Sequence, residues 1–154
     1  MTLLTPEIES WVGRQIEFMG DAVTIGEIRR FNAASDDQNP DYGQAQGDAP
    51  ALAPPMLYYG ITRPFAASAD FAEDGTVFEH RPIVGTGQSM GGSVEVDWLQ
   101  DLKEGDVLRG VRSLASLEEK KGSRLHFVLA VWVTEYFDQN GTLVIRERYE
   151  QILF

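Results

Sequence analysis

Three side chains that could move a proton or hold a ligand by hydrogen bonds lie close together, at Asp37, Asn39 and Tyr42. Asp37 offers a carboxylate, Asn39 an amide that both donates and accepts, and Tyr42 a phenol. A phenol is a poor base at neutral pH but a competent hydrogen-bond donor. Pro40 lies within the same segment, and aspartate and asparagine beside a proline are also typical of turns. The residues alone therefore leave a functional role and a turn role open for Asp37 and Asn39.

Other residue types exclude several kinds of chemistry. The chain has no cysteine, which rules out disulfides, thiolate zinc sites and a cysteine nucleophile. Its two histidines, His80 and His126, are too few for a histidine-rich metal site, and no Asp-x-Asp-x-Asp-Gly loop is present. Gly85 and Gly87 do not complete a dinucleotide-binding pattern, and there is no Gly-x-Ser-x-Gly elbow. We therefore expect no metal and no other cofactor.

Length and charge narrow the class of protein. A chain of 154 residues is the usual size of one domain, and we expect a single domain over residues 1–154. The net charge of −11 would repel a phosphate backbone, so nucleic acid is not an expected partner. No apolar run approaches the ~18 residues of a membrane span, and no basic residue precedes the short apolar stretch at the N-terminus. We expect a soluble cytoplasmic protein without a membrane partner.

The segment that carries Asp37 is expected to follow a helix. Gln15 to Val23 is typical of an opening strand or hairpin. Thr24 has the character of an N-cap, with Glu27 three residues later completing a capping-box pattern. Apolar residues at helical spacing then predict a helix from about Ile25 to Ser35. The polar, turn-rich stretch from Gly43 to Pro50 predicts a mobile loop.

A second helix is predicted downstream of that loop. Ala53-Pro54-Pro55-Met56 is typical of a helix start, because proline is tolerated in the first turn. The apolar residues that follow are Met56, Leu57, Tyr59, Gly60 and Phe65, and the helix is predicted to end near Arg63-Pro64. A helix that is apolar all round is expected to be buried.

The second half of the chain has the alternation of strands. The Asn140-Gly141 pair is a strong hairpin signal. The predicted strand Arg124–Phe137 is apolar on both faces. This indicates that a helix covers one face and a partner subunit covers the other. Helices followed by an antiparallel meander make an α+β protein, and a buried helix wrapped by such a sheet is the hotdog arrangement. The predicted strands are Gly92–Leu99, Val107–Leu117, Arg124–Phe137 and Thr142–Leu153.

Three stretches, in this order, resemble the MaoC dehydratase family, especially its FAS1-like N-terminal-domain branch. Residues 34–40, Ala-Ser-Asp-Asp-Gln-Asn-Pro, are similar to the family's hydratase loop, Gly-Asp-x-Asn-Pro-x-His. Residues 52–57, Leu-Ala-Pro-Pro-Met-Leu, are similar to the start of its central helix. Residues 102–108, with the Glu-Lys-Lys-Gly hairpin at 119–122, are similar to the Gly-Asp strand and hairpin of that branch. The resemblance covers about residues 13–154.

The resemblance implies a long central helix wrapped by an antiparallel sheet, and addition of water to an enoyl thioester. Asp37 and Asn39 match the loop, but Tyr42 stands where the family has histidine. Pro55 stands where the family has the glycine whose N–H belongs to the oxyanion hole, and proline has no N–H. The N–H of Met56 could take its place. Loss of one such donor typically lowers the rate on the order of 10²–10³-fold.

These two departures imply a subunit of an (R)-specific enoyl-CoA hydratase or 3-hydroxyacyl thioester dehydratase that shapes the acyl site beside a catalytic hotdog partner. The expected ligand is an acyl-CoA or acyl-carrier-protein thioester. The expected assembly is a homodimer, or a heterodimer with a second MaoC-like hotdog subunit. The candidate catalytic residues are Asp37, Asn39 and Tyr42, and the candidate substrate-binding residues are Pro55, Met56, Tyr59 and Gly60.

Other functions remain open at this point. The chain could be a self-sufficient hydratase that uses Asp37 and Tyr42, a non-catalytic acyl-thioester-binding protein, or a hotdog thioesterase, since a fold does not fix a function. The densest basic cluster consists of Lys120, Lys121 and Arg124. It is suited to a coenzyme A phosphate or an acidic carrier protein, or simply to a solvated hairpin tip. His126, in an apolar strand, is expected to pack, and His80 lies in a predicted loop that could approach the site.

Overall fold

The computed structural model describes residues 2–45, 47–63, 81–122 and 125–154. Helices in the first half followed by an antiparallel meander confirm the predicted α+β class. Pro64 and Phe65 at the predicted helix end, as well as His80 and Arg124, lie outside the described residues. The elements are α1 (Pro6–Glu9), β1 (Gln15–Ala22), α2 (Ile25–Ser35), α3 (Leu57–Ile61), β2 (Ser89–Trp98), β3 (Val107–Lys121), β4 (His126–Phe137) and β5 (Leu143–Leu153).

In the described part of the chain, five strands form one antiparallel sheet in the order β1-β3-β4-β5-β2. Strands β3, β4 and β5 are therefore central, and β1 and β2 are the edges. The register places Arg112 opposite Thr134, and Thr134 opposite Glu147. Because directly opposite residues share a face of the sheet, these three side chains form one row across the central strands.

Helix α2 has the predicted bounds because both of its ends are set locally. The Thr24 hydroxyl accepts the N–H of Glu27 at 3.1 Å, which satisfies one of the free donors of the first turn. The helix ends at Ser35, and Asp36 follows in the left-handed conformation at φ 52°. A left-handed C-terminal residue turns the chain away from the helix axis, here into the loop that carries Asp37.

Helix α3 is shorter and less enclosed than the long buried helix that the sequence predicts. It begins at Leu57 and ends at Ile61. Leu57, Tyr58 and Ile61 are buried, whereas Tyr59 is 44% exposed. Tyr59 is exposed because it lies on the opposite side of this short helix from the buried residues Leu57 and Ile61. Across the described ranges, no helix is both long and apolar enough to cross a membrane.

The core divides into two groups of buried side chains along the face on which α3 packs. One group surrounds α3 and the neighbouring ends of β3, β4 and β5. The other lies further along the strands and receives α1. The first group includes Ile28, Leu57, Tyr58, Ile61, Leu108, Tyr136 and Ile145. The second includes Val84, Leu114, Val128, Ala130, Trp132 and Leu153, with Ile8 and Trp11 packed against it.

Gly110 allows an aromatic ring to cross β3. A Cβ atom at this position would lie 2.2 Å from Cζ of Phe18, the residue opposite it on β1. The Phe18 ring instead meets the edge of the Tyr136 ring, with centroids 6.0 Å apart. The absent side chain therefore lets β1 contribute an aromatic residue to the core.

Strand β2 is present as predicted, but its alternating apolar face is largely uncovered. Val96 is partly buried and packs against the core around α3. Val94 and Trp98, on the same face, are 52% and 46% exposed. These side chains are exposed because β2 is an edge strand and extends beyond the core.

Candidate functional site

The loop after α2 is built from side-chain-to-backbone turns. Oδ1 of Asp37 accepts the N–H of Asn39 at 2.9 Å, and Oδ1 of Asn39 accepts the N–H of Asp41 at 3.1 Å. The N–H of Tyr42 donates to the carbonyl of Asn39 at 3.3 Å. Asp37 is half-buried and Asn39 is exposed. The turn role that the sequence left open for both residues is therefore present, and one oxygen of each side chain is already occupied.

Tyr42 leaves this loop and meets the segment that leads into α3. Tyr42 pairs with Leu52 in a parallel bridge, and Leu52 pairs with Lys103 on its other side. The N–H of Gly43 donates to the carbonyl of Leu52 at 2.9 Å. Ala53 then donates to the carbonyl of Leu102 at 2.8 Å. These contacts hold the start of α3 against the turn before β3.

A small cleft of about 50 Å³, open to solvent, lies at this junction. It brings together two predicted site residues, Tyr42 and Pro55, whereas Asp37 and Asn39 do not line it. Trp98 of the edge strand closes one side. The complete lining is Tyr42, Leu52, Ala53, Pro55, Trp98, Gln100, Asp101 and Leu102.

One backbone N–H at the start of α3 has no acceptor among the described residues. Pro55 has no N–H to give. The N–H groups of Leu57, Tyr58 and Tyr59 are directed to the carbonyls three residues earlier, at 3.0, 3.5 and 3.2 Å. The N–H of Met56 donates to no described residue. It is therefore the first donor after Pro55 that a ligand could use.

The other predicted binding residues lie on the outward side of α3. Met56 and Tyr59 are 46% and 44% exposed, and Gly60 is exposed as well. The guanidinium of Arg63 lies 3.9 Å from the centroid of the Tyr59 ring. A Cβ atom on Gly60 would meet nothing within 4 Å, so contacts within the described residues do not require glycine there. The structure therefore separates Met56, Tyr59 and Gly60 from the cleft that contains Tyr42.

A buried polar row beneath α3 was missed by the sequence reasoning. The hydroxyl of Tyr58 donates to Oε2 of Glu147 at 2.7 Å, and both residues are buried. Burial, and then the hydrogen bond to the Glu147 carboxylate, raise the pKa of Tyr58. Burial and the same carboxylate raise the pKa of Tyr136 to about 12. Both phenols therefore remain neutral donors over the physiological pH range.

Arg112 completes this row from β3. Its guanidinium lies 4.1 Å from the centroid of the Trp132 ring, whose Nε1–H donates to Oε1 of Gln151 at 3.1 Å. Burial, and then repulsion by Arg63, lower the pKa of Arg112. A sequence signal for the row does exist. The inward-facing positions of β4 and β5 are mostly apolar, and the polar exceptions are Thr134, Glu147 and Gln151.

His126 contacts a carboxylate that also binds the N-terminal segment. His126 Nε2 lies 2.5 Å from Oε1 of Glu119. The same carboxylate accepts the hydroxyl of Thr2 and the N–H groups of Leu3 and Leu4. His126 thus fits the predicted packing role. Within the described ranges, no group of three or more histidine, aspartate or glutamate residues could hold a metal ion.

The basic hairpin is only partly described. Lys120 Nζ lies 3.3 Å from Oε2 of Glu118, and Lys121 is exposed. Arg124 lies outside the described residues. The ion pair fits the solvated hairpin tip that the sequence allows, and a coenzyme A role for the cluster stays a prediction.

Comparisons with known proteins bear on the fold and on the family. No curated protein matches the chain significantly. The (R)-hydratase of A. caviae, involved in PHA biosynthesis, is 18% identical over 93% of this chain and 96% of its own, with a TM-score of 0.64. The MaoC-like dehydratase of Rhodospirillum rubrum is 16% identical over 93% and 92%, with a TM-score of 0.65. The ChsH1–ChsH2 complex of Mycobacterium tuberculosis matches at 14% identity over 96% and 87%, with a TM-score of 0.68.

These likenesses show the fold, and the expected hotdog arrangement of a sheet with few helices is confirmed. The family itself follows from the sequence. The model of the FAS1-like dehydratase domain region matches residues 10–147, which include the loop after α2, the start of α3 and most of the sheet. The predicted MaoC-like, FAS1-like resemblance is thereby confirmed. This chain belongs to the FAS1-like dehydratase family.

Proposed function

We propose that this chain is the degenerate subunit of an (R)-specific enoyl-CoA hydratase or 3-hydroxyacyl thioester dehydratase, shaping the acyl site beside a catalytic hotdog subunit. The observation that carries the proposal is the cleft that holds Tyr42 and Pro55 together. The family pattern places a histidine and an oxyanion-hole glycine at these two positions. Here the same place holds a phenol and a residue without an N–H.

The chemistry of hydration explains why these two substitutions matter. Water must lose a proton to a base, while backbone donors stabilise the negative charge that develops on the thioester oxygen. Asp37, the remaining carboxylate of the loop, does not line the cleft and uses Oδ1 in its own turn. Tyr42 therefore lines this cleft without Asp37. This supports a shaping role, with the base supplied by another subunit.

The exposed side of α3 supports a protein partner. Met56 and Tyr59 place apolar surface outward, and Val94 and Trp98 do the same along β2. Apolar surface of this kind is typical of an interaction site when it is contiguous. The ChsH1–ChsH2 complex, which shares the fold, contains two different components. We infer that a second hotdog subunit covers this side and completes the acyl site.

The experiment is hydration of crotonyl-CoA and of longer enoyl-CoA thioesters, followed by loss of the enoyl-thioester absorbance. The purified chain is measured alone and together with a co-expressed MaoC-type subunit that carries an intact Asp-x-Asn-Pro-x-His loop. We expect no turnover by the chain alone and turnover by the pair. Asp37→Asn in this chain should leave the activity of the pair unchanged, because the partner supplies the base.

Asp41→Asn is the matched control, since Asp41 lies in the same loop and is exposed. Turnover by the chain alone, lost in Asp37→Asn but kept in Asp41→Asn, would overturn the proposal in favour of a self-sufficient hydratase. Release of free coenzyme A would identify a thioesterase instead. Binding of acyl-CoA without turnover, alone and in the pair, would identify a binding protein.

A further inference from the structure

Two arginine side chains lie beside the buried polar row, and no described residue accepts a hydrogen bond from either of them. Arg63 lies just after the end of α3, and Arg112 lies on β3 in the row with Thr134 and Glu147. Among the described residues, neither guanidinium has an ion-pair partner or a hydrogen-bond acceptor. Their N–H groups are therefore available to a ligand.

Both guanidiniums are stacked on aromatic rings, which holds them in place. The guanidinium carbon of Arg112 lies 4.1 Å from the centroid of the Trp132 ring, and that of Arg63 lies 3.9 Å from the centroid of the Tyr59 ring. Stacking occupies the flat face of a guanidinium and leaves the N–H groups at its edge. An arginine held in this way is suited to bind a planar carboxylate through two parallel hydrogen bonds.

Tyr58 connects the places of the two arginines. Its hydroxyl donates to Glu147, in the row that contains Arg112, at 2.7 Å. Its ring meets the edge of the Tyr59 ring, on which Arg63 is stacked, with ring centroids 6.1 Å apart. Burial, and then repulsion by Arg63, lower the pKa of Arg112. The two guanidiniums therefore act on one another at one place in the fold.

This place has an excess of positive charge, although the chain as a whole has a net charge of −11. The polar row and the end of α3 together contain two guanidiniums and one carboxylate, that of Glu147, which is buried. Removing a charge from water is costly unless the charge is paired. A carboxylate would supply the one missing negative charge, whereas a phosphate monoester carries about −1.5 to −2 at pH 7. The site therefore favours a carboxylate.

We propose that Arg63 and Arg112 bind a carboxylate at the far end of the acyl group of the ligand. The ligand class is then a monothioester of a dicarboxylic acid. Tyr59, one of the predicted substrate-binding residues, carries Arg63 on its ring and so joins this site to the exposed side of α3. That the carboxylate belongs to an acyl thioester rests on the proposed function, whereas the carboxylate site rests on the two arginines themselves.

The test compares two thioesters that differ only at the far end of the acyl group. Succinyl-CoA ends in a carboxylate, and butyryl-CoA, with the same number of acyl carbons, ends in a methyl group. Neither has the double bond that hydration requires, so calorimetry measures binding without turnover, by the chain alone and by the co-expressed pair. We expect succinyl-CoA to bind at least about tenfold more tightly, because hydrogen bonds to charged groups are strong.

Arg112→Met and Arg63→Met should each abolish this preference, because methionine keeps an apolar chain over the aromatic ring but has no donor. Arg109→Met is the matched control. Arg109 lies on the same strand and is stacked on Phe137, but it pairs with Glu17 on the other face of the sheet. It should keep the preference. Because Arg63 is exposed, its substitution tests the site even if Arg112→Met misfolds.

A second measurement presents the carboxylate without coenzyme A. Monomethyl succinate has one free carboxylate, and dimethyl succinate has none. At matched ionic strength, the monoester should raise the unfolding temperature of the wild-type chain more than the diester does, because a ligand of the folded state stabilises it. Arg63→Met should remove this difference between the two esters.

Equal binding of the two thioesters by the chain and by the pair, or a preference that survives Arg63→Met, would overturn the proposal. Stabilisation by the monoester without a preference for succinyl-CoA would also overturn it, and would identify a small free carboxylate as the ligand. Stronger stabilisation by inorganic phosphate than by the monoester would overturn the choice of a carboxylate. None of these results depends on hydration of crotonyl-CoA, so failure of this proposal is distinguishable from failure of the proposed function.

Discussion

At the scale of single residues, the contact between Tyr58 and Glu147 is the most consequential one beneath α3. The hydroxyl and the carboxylate lie 2.7 Å apart in a buried environment. Burying a carboxylate is costly unless it is paired and hydrogen-bonded. Arg112, on the same row of the sheet, contributes the opposing charge. The row therefore ties α3 to β5 through polar groups that depend on one another.

Tyr58→Phe should destabilise the protein by about 1–3 kcal/mol, because it leaves the Glu147 carboxylate without its hydrogen bond. The measurement is urea unfolding at neutral pH. Tyr59→Phe is the control, since this neighbouring ring is 44% exposed. It should change stability by less than about 0.5 kcal/mol. Equal effects of the two substitutions would show that the buried hydrogen bond does not stabilise the fold.

Residue-scale roles were predictable where they are local. The turn role of Asp37 and Asn39 could be read from the neighbouring proline, because these hydrogen bonds span only two residues. The partner of Glu147 could not, since Tyr58 is 89 residues away in the chain. A glutamate in an apolar strand indicates a buried polar site, but only the fold decides which side chain meets it.

At the scale of elements, too, features set by local contacts were predictable from the sequence and features set by the fold were not. Helix α2 was predicted with its bounds because Thr24 and the residues after Ser35 set its ends locally. Helix α1 was missed because its four residues are too few to show periodicity. The strand character of β2 was predicted correctly, but its exposure was not, because alternation cannot show that a strand lies at an edge.

The crossing of Phe18 over β3 gives a prediction for two adjacent strands. Gly110→Ala should destabilise the protein by about 1–3 kcal/mol, because the new methyl group would overlap the Phe18 ring. Thermal unfolding measures the effect. Phe18→Leu should recover part of the loss when combined with Gly110→Ala, so that the two changes are less than additive.

Gly60→Ala is the control for the loss of a glycine. A Cβ atom at Gly60 meets nothing within 4 Å, and alanine is a better helix former. This variant should be neutral or slightly stabilising. A Gly110→Ala protein as stable as Gly60→Ala would contradict the close approach of Phe18.

At the scale of the whole molecule, Glu119 fastens the N-terminal segment to the distant hairpin of β3 and β4. Its carboxylate accepts the Thr2 hydroxyl, the N–H groups of Leu3 and Leu4, and contacts His126. The hydrogen bond from Thr2, and then that from Leu3, hold the pKa of Glu119 at about 2. The attachment of this segment is therefore linked to pH.

The pKa of Glu119 in the folded protein lies below its ordinary value of 4.5. The ionised carboxylate therefore stabilises the folded state fully above pH 4.5, and this stabilisation is lost as the pH falls towards 2. Glu119→Gln should therefore lower the urea midpoint at pH 7. The difference in urea midpoint between Glu119→Gln and the wild-type protein should narrow as the pH falls from 4.5 towards 2. Glu118→Gln, which alters an exposed ion pair on the same strand, should have little effect at any pH. A gap for Glu119→Gln that does not change with pH would contradict the linkage.

The order of strands in the sheet also determines what happens while the chain is being made. Strand β2 leaves the ribosome before β3, β4 and β5, yet the strand beside it in the sheet is β5. At about 5–20 residues per second, β2 therefore waits for seconds without its neighbour. Charged residues within an apolar strand protect such a segment from aggregation. Glu95 and Asp97 would thus keep the nascent chain soluble before the sheet closes.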